Sequence, residues 1–95
     1  MARRRYLIAY DISDDRRLRR ICKIMEEYGT RLQYSVFLCD LSGMEHVQWS
    51  TKVRTEMNLS ADSIIEIDLG DVDNCATIGV HGKARCLPSS GATIV

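Results

Sequence analysis

Tyr6-Leu7-Ile8-Ala9-Tyr10 is the stretch that most limits what this chain can become, because it is apolar without interruption and a carboxylate, Asp11, follows at once. A short continuous apolar run reads as a strand, about Arg5 to Asp11, that wants cover on both faces. Alternation puts Tyr6, Ile8 and Tyr10 on one face and Leu7, Ala9 and Asp11 on the other. In a two-layer domain, helices cover only one side of a sheet. The second face then asks for a partner, which predicts a dimer. The strand also delivers Asp11 to the rim of the sheet on a rigid support.

The next segment carries helix signals. Ser13 or Asp14 suits the N-cap, with Asp14 and Asp15 favourable at the positive end of the dipole. Leu18, Ile21, Cys22, Met25 and Tyr28 recur at helical spacing as a buried stripe, and Gly29 sits where a helix ends. The opposite face carries Arg16, Arg17, Arg19, Arg20 and Lys23. Cations in the first turns oppose the dipole, and Arg16 with Arg20 is a like-charge i,i+4 pair. Each costs a few tenths of a kcal/mol, up to ~1. That is the wrong sign for a purely structural helix, and an anionic partner would explain it.

Residues 30 to 41 are rich in β-branched and aromatic types and too long for one strand. They read as two strands meeting at a turn near Tyr34-Ser35. Ser42-Gly43-Met44-Glu45 has the form of a capping box and opens a second helix to about Met57 or Asn58. Its expected stripe is Met44, Val47, Trp49, Val53 and Met57. Ser63 to Leu69 reads as a strand with Ile65, Ile67 and Leu69 toward the core and Glu66 and Asp68 outward. Gly70 to Asn74 is turn-rich. Cys75 to Val80 could add one short strand, and from Gly82 the chain reads as a loose or partner-dependent tail. The order β-α-β-β-α-β plus a C-terminal strand predicts an α+β, ferredoxin-like domain with an antiparallel sheet. One domain is expected over residues 1–95, with its core at about 5–70 and the strand and tail at about 71–95.

Composition narrows the class. With 95 residues, 45% apolar and 27% charged, the chain matches an ordinary globular domain. No apolar run is long enough to span a membrane, and the basic start at residues 3–5 lacks the apolar core of a secretory signal. Cys22, Cys39, Cys75 and Cys86 show no zinc-like spacing with each other or with His46 and His81. They are expected as reduced thiols in a cytoplasmic protein. Formal net charge is zero, but its distribution is uneven: residues 1–31 hold nine Lys and Arg against five acids, and residues 32–95 hold four against eight. The asymmetry fits either a solvated helix face or a basic patch for nucleic acid.

Residues 6–17, Tyr-Leu-Ile-Ala-Tyr-Asp-Ile-Ser-Asp-Asp-Arg-Arg, and 28–39, Tyr-Gly-Thr-Arg-Leu-Gln-Tyr-Ser-Val-Phe-Leu-Cys, resemble the CRISPR-associated protein two family. The resemblance covers about residues 5 to 70. It implies a ferredoxin-like homodimer of the spacer-acquisition machinery that associates with the CRISPR integrase subunit and binds duplex DNA. It also implies a magnesium-dependent endonuclease, with manganese as an alternative ion, cleaving RNA and/or DNA, with duplex DNA or single-stranded RNA as the nucleic-acid partner. Asp11 matches the family's metal residue. Tyr10, Arg31 and Phe37 match residues placed near the catalytic site, and Arg20 is the best match for a first-helix arginine, with Arg16, Arg17 and Arg19 beside it.

On its residues alone, Asp11 is better explained as a turn former or helix-leading acid; the resemblance implies that it is a metal residue. One Asp per chain cannot hold magnesium firmly, whereas two brought together by a dimer axis could. Arg31 or a first-helix arginine could neutralise phosphate charge. Ser35 reads as a small residue at a bend, and the aromatics as sheet packing. The alternative functions are a non-catalytic dimeric adaptor that binds DNA beside the integrase, or a related toxin-type ribonuclease.

Overall fold

The computed structural model describes residues 2–83 and the backbone of residues 92–94. Strand β1 (Arg4–Asp11) lies inside a four-stranded sheet. Helix α1 (Asp15–Tyr28), strands β2 (Thr30–Gln33) and β3 (Val36–Leu41), helix α2 (Gly43–Glu56) and strand β4 (Ser63–Asp71) follow. The sheet order is β2-β3-β1-β4, and every neighbouring pair is antiparallel. This is the ferredoxin-like arrangement. The turn at Tyr34-Ser35 falls between β2 and β3 as expected.

The helix-covered face holds the core. Tyr6, Ile8 and Tyr10 of β1 and Phe37, Cys39 and Leu41 of β3 are buried against Ile21 and Met25 of α1 and Trp49 and Val53 of α2. Complete burial of an Ile or Phe side chain contributes about 1.5–3 kcal/mol. Trp49 Nε1 donates to Met25 Sδ at 3.1 Å, joining the two helices. The α1 stripe agrees with the sequence pattern, and its N-cap is Asp14, whose carboxylate accepts from Arg17 N at 3.0 Å. Gly29 does end α1, but its backbone is extended, at φ −157°. What requires glycine is close approach: a Cβ there would lie 2.4 Å from Cys39 Sγ and 2.6 Å from the Leu38 carbonyl oxygen.

The capping box at α2 is formed in both directions between Ser42 and Glu45. The expected α2 stripe needs correction. Met44 and Val47 are exposed, and the buried side chains are Trp49 and Val53. His46 takes the place of an apolar residue by stacking on Tyr6, with ring centroids 4.7 Å apart. A polar residue in a packing role disguised the true periodicity.

The β4 faces are also reversed from expectation. Ile8 pairs with Glu66 and Tyr6 with Asp68, so the two acids lie on the helix side at the sheet edge. His46 Nε2 sits 2.6 Å from Glu66, and Arg4 bonds Asp68 through both oxygens. Ile65 and Ile67 pair with Ala9 and Leu7 on the face without helices, where they are 58% and 50% exposed. A bulge between Arg5 and Tyr6 carries Leu69. The alternation was visible in the sequence; which side faced the helices was not, because the apolar side of β4 is the open one.

Beyond β4, the expected strand at Cys75–Val80 shortens. A 3-10 turn at Val72–Asn74 precedes strand β5 (Ile78–Val80), which pairs in parallel with β6 (Ala92–Ile94) as a separate two-stranded sheet. Here Arg5 is buried, and its guanidinium grips Asp40 at 2.7 and 2.8 Å. Cys86 and Pro88 of the expected tail lie outside the described residues. Cys22, Cys39 and Cys75 are free thiols. Burial, with Asp40 adding to it, pushes the Cys39 thiol up to about 12, as expected for a packing residue.

Candidate nucleic-acid and metal site

The end of β1 divides two sets of chemistry. Tyr10 turns inward, and Asp11, paired with Ser63, turns to the open face and is exposed. Asp11 makes no side-chain hydrogen bond or ion pair with another described residue. Among the described residues no three His, Cys, Asp or Glu side chains gather as a metal cluster.

Tyr10, Arg31 and Phe37 do come together, but on the helix face. The Tyr10 ring stacks near Phe37 with centroids 6.1 Å apart. The Arg31 guanidinium lies 5.2 Å from the Phe37 ring centre and 5.9 Å from that of Tyr34, and it donates to Cys22 Sγ at 2.6 Å. The Tyr10 hydroxyl donates to the Tyr34 carbonyl at 3.4 Å. Burial, with the Cys22 thiol next, pushes the Tyr10 phenol up to about 12, so it stays protonated at neutral pH. Tyr10, Leu18, Arg19, Cys22, Arg31 and Tyr34 line an open pocket of about 190 Å³. Within one chain, therefore, Asp11 and this trio occupy opposite faces of the same sheet.

The first-helix arginines separate as well. Arg16, Arg19 and Arg20, with Lys23, line a shallow groove of about 250 Å³ on the outer face of α1. Arg20 also approaches Glu56 at 3.7 Å; an exposed pair of this kind contributes at most about 1 kcal/mol and leaves the arginine able to turn elsewhere. Arg17 is engaged internally. Its Nε donates to Asp62 at 2.8 Å, and a second nitrogen donates at 3.2 Å.

Asp62 is the residue that sequence reasoning missed. Its side chain is fully buried and accepts five hydrogen bonds: two from Arg17, two from the Ser13 amide and hydroxyl, and one from the Asn58 amide. The Arg17 bond is the largest cause holding its carboxyl far below the usual range, and the backbone donors add to it. It ties the loop after Asp11 to the loop before β4. Nothing in the local sequence distinguishes Asp62 from a surface acid; only the long-range contact does.

Fold and site together define a small ferredoxin-like protein with a cationic helix face, a strand-end carboxylate and one sheet face left apolar. The family model for CRISPR associated protein Cas2 matches residues 4–74. A Synechocystis protein named CRISPR-associated endoribonuclease Cas2 3 is 42% identical over 59 residues, covering 62% of this chain and 64% of that one. The Geobacter sulfurreducens CRISPR-associated endoribonuclease Cas2 is 35% identical over 69 residues, 73% of each chain. The match thus spans less than two thirds of the Synechocystis relative's length. Among solved structures, a hypothetical protein from Thermus thermophilus superposes with a TM-score of 0.78 at 27% identity, covering 88% of this chain and 96% of that one. Streptococcus pyogenes Cas2 gives 0.62 at 29% identity, covering 66% and 82%. The chain belongs to the Cas2 family. No helix among the described residues is long and apolar enough to cross a membrane.

Proposed function

We propose that the chain acts in CRISPR spacer acquisition as a homodimeric, magnesium-dependent endonuclease that hydrolyses nucleic-acid phosphodiesters. One observation carries this reading: Asp11 is exposed, with no partner among the described residues, at the end of a rigid strand, on the same open face as exposed Ile65 and Ile67. A second copy covering that apolar face would bring a second Asp11 toward the first. The relatives named as endoribonucleases support the activity.

The donor set fits the ion. Magnesium takes hard oxygen ligands, and two protein carboxylates with substrate phosphate and water suffice. Asp11 from each chain would hold magnesium, or manganese in its place, and the ion would supply Lewis acidity toward phosphate and water. The chain's own part is placement. β1 fixes the Asp11 backbone, and Asp62 anchors Ser13 beyond it. Arg16, Arg19, Arg20 and Lys23 hold the phosphate backbone by charge. The test is Asp11→Ala, purified as a dimer and assayed with magnesium on single-stranded RNA and DNA. Cleavage should fall at least about 10²-fold with the circular dichroism spectrum unchanged. Wild-type cleavage by that variant would sink the catalytic assignment.

The α1 groove favours a second role that needs no cleavage: a dimeric adaptor binding duplex DNA beside the CRISPR integrase subunit. Duplex affinity should then fall steeply with salt, and each lost phosphate contact should lower the log–log slope by about 0.9. A flat salt response in wild type would remove this role.

A further inference from the structure

We propose that the pocket between α1 and the β2–β3 turn is a nucleobase subsite, which receives one unstacked base while the α1 groove holds the neighbouring phosphates. The inference rests on the preceding reading only in taking the arginine face as the phosphate-binding surface; it requires neither Asp11 nor a metal.

Three observations converge on it. First, Arg19 lines both the cationic groove and the pocket, so the two adjoin at that side chain. A strand laid along α1 passes the pocket mouth. Second, the walls suit a flat heterocycle. Tyr34 is a large ring left 65% exposed at a turn, and the Arg31 guanidinium lies against it. Bases in single strands stack on such aromatic rings and guanidinium planes. Arg31 is already positioned by Phe37 and Cys22, so little side-chain freedom remains to be lost. Leu18 and Tyr10 supply an apolar floor that a bare anion would leave unused. Third, the volume of about 190 Å³ is below the ~300–1,000 Å³ of sites that enclose drug-sized ligands. It matches a single ring system rather than a whole nucleotide. A paired base cannot enter without leaving its stack, so the subsite discriminates single strands, frayed ends and flipped bases from intact duplex.

The experiment is equilibrium binding by the full chain in excess EDTA, where a metal-dependent reaction is silent. The probes are short single strands carrying one central 2-aminopurine, the same strands with abasic residues in the centre, and a duplex of equal length. Ribo- and deoxyribo-strands are run side by side. The base-bearing strand should bind roughly 5- to 150-fold more tightly than the abasic one, the range of one base stacked on an aromatic ring. Fluorescence of the 2-aminopurine should be quenched on binding. Tyr34→Ala should close the gap between the two strands, and Tyr34→Phe should restore it. A Tyr34 effect confined to RNA or to DNA would uphold the subsite and assign its sugar. Equal affinity of wild type for base-bearing and abasic strands would overturn it. So would a Tyr34→Ala protein that keeps the gap, or one that loses it only by becoming a monomer in sedimentation. If no probe binds at low salt, the arginine-face reading fails and the subsite fails with it. Loss of cleavage in Asp11→Ala with base binding intact separates the two sites.

Discussion

The two faces of β1 are made from alternate residues of one strand, yet they have opposite character. Toward the helices, Tyr6, Ile8 and Tyr10 meet Phe37, Cys39 and Trp49, and the polar atoms find partners. Toward the other side, Leu7 and Ala9 lie beside Ile65 and Ile67, which solvent reaches, and Asp11 ends the row without a partner among the described residues. The first face can be accounted for by one chain folding. The second buries Leu38 but leaves Ile65 and Ile67 exposed, next to a carboxylate without a partner among the described residues. The candidate metal carboxylate thus lies on the side of β1 that the core does not occupy.

That contrast can be attacked first where it is strongest. Phe37→Ala on the closed face should cost about 3–5 kcal/mol, a large part of the ~5–15 kcal/mol available to a domain. Urea unfolding at fixed protein concentration measures it. A cost below 1 kcal/mol would show that the closed face is not the core. Next in size is the open face: Ile65→Asp combined with Ile67→Asp should leave the circular dichroism spectrum intact but yield a monomer in sedimentation. Cleavage should fall roughly 10²-fold even with Asp11 present, since the second carboxylate is lost from position. A stable, active dimer would remove the functional meaning of that face. Gly29→Ala should destabilise by about 1–3 kcal/mol, because the new methyl meets the Leu38 carbonyl as well as the Cys39 sulfur. A left-handed glycine would give a different result: there Ala is penalised by backbone conformation and not by those neighbours. Replacing Cys39 by Ala in the same chain should therefore recover part of the loss.

The smallest effect is at the buried carboxylate, Asp62. The folded pKa of Asp62 is depressed, and an unfolded Asp titrates near 3.9. Its contribution is then fully present above about pH 4 and is lost as pH falls through the lower folded value. Asp62→Asn should lower the melting temperature at pH 7 by several degrees, and the gap from wild type should narrow steadily below pH 4. A gap independent of pH would mean the site's contribution is packing and not charge.

Legibility in the sequence followed the range of the interactions. Helix caps and the α1 stripe are set within a few residues, so Asp14, Ser42 with Glu45, and Ile21 with Met25 stood out. The β1 pattern even announced the open face, because no strand would keep Leu7 and Ala9 apolar for solvent alone. What escaped depended on distant partners. His46 reads as a polar interruption until Tyr6 is placed under it. Asp62 reads as an ordinary acid until Ser13 and Arg17 converge on it from residues far earlier in the chain. Glu66 and Asp68 were turned the wrong way because charged residues were assumed to face solvent and isoleucines the helices. Tyr10, Arg31 and Phe37 were grouped with Asp11 through the family resemblance, and within one chain they lie on the helix-covered face of the sheet while Asp11 lies on the other.

Tyr10 closes that distance in another way. Its amide donates to the Ser35 carbonyl at 3.1 Å and its hydroxyl reaches the Tyr34 carbonyl, so the hairpin tip and the end of β1 are laced to each other. The lacing makes the hairpin intolerant of length. One residue inserted at Tyr34-Ser35 would carry both acceptors away from Tyr10 and release the strand tip that aims Asp11. Changes of residue type at the tip leave the backbone carbonyls where they are. The hairpin can therefore vary in what it presents to a ligand while its span stays fixed by the carboxylate next door.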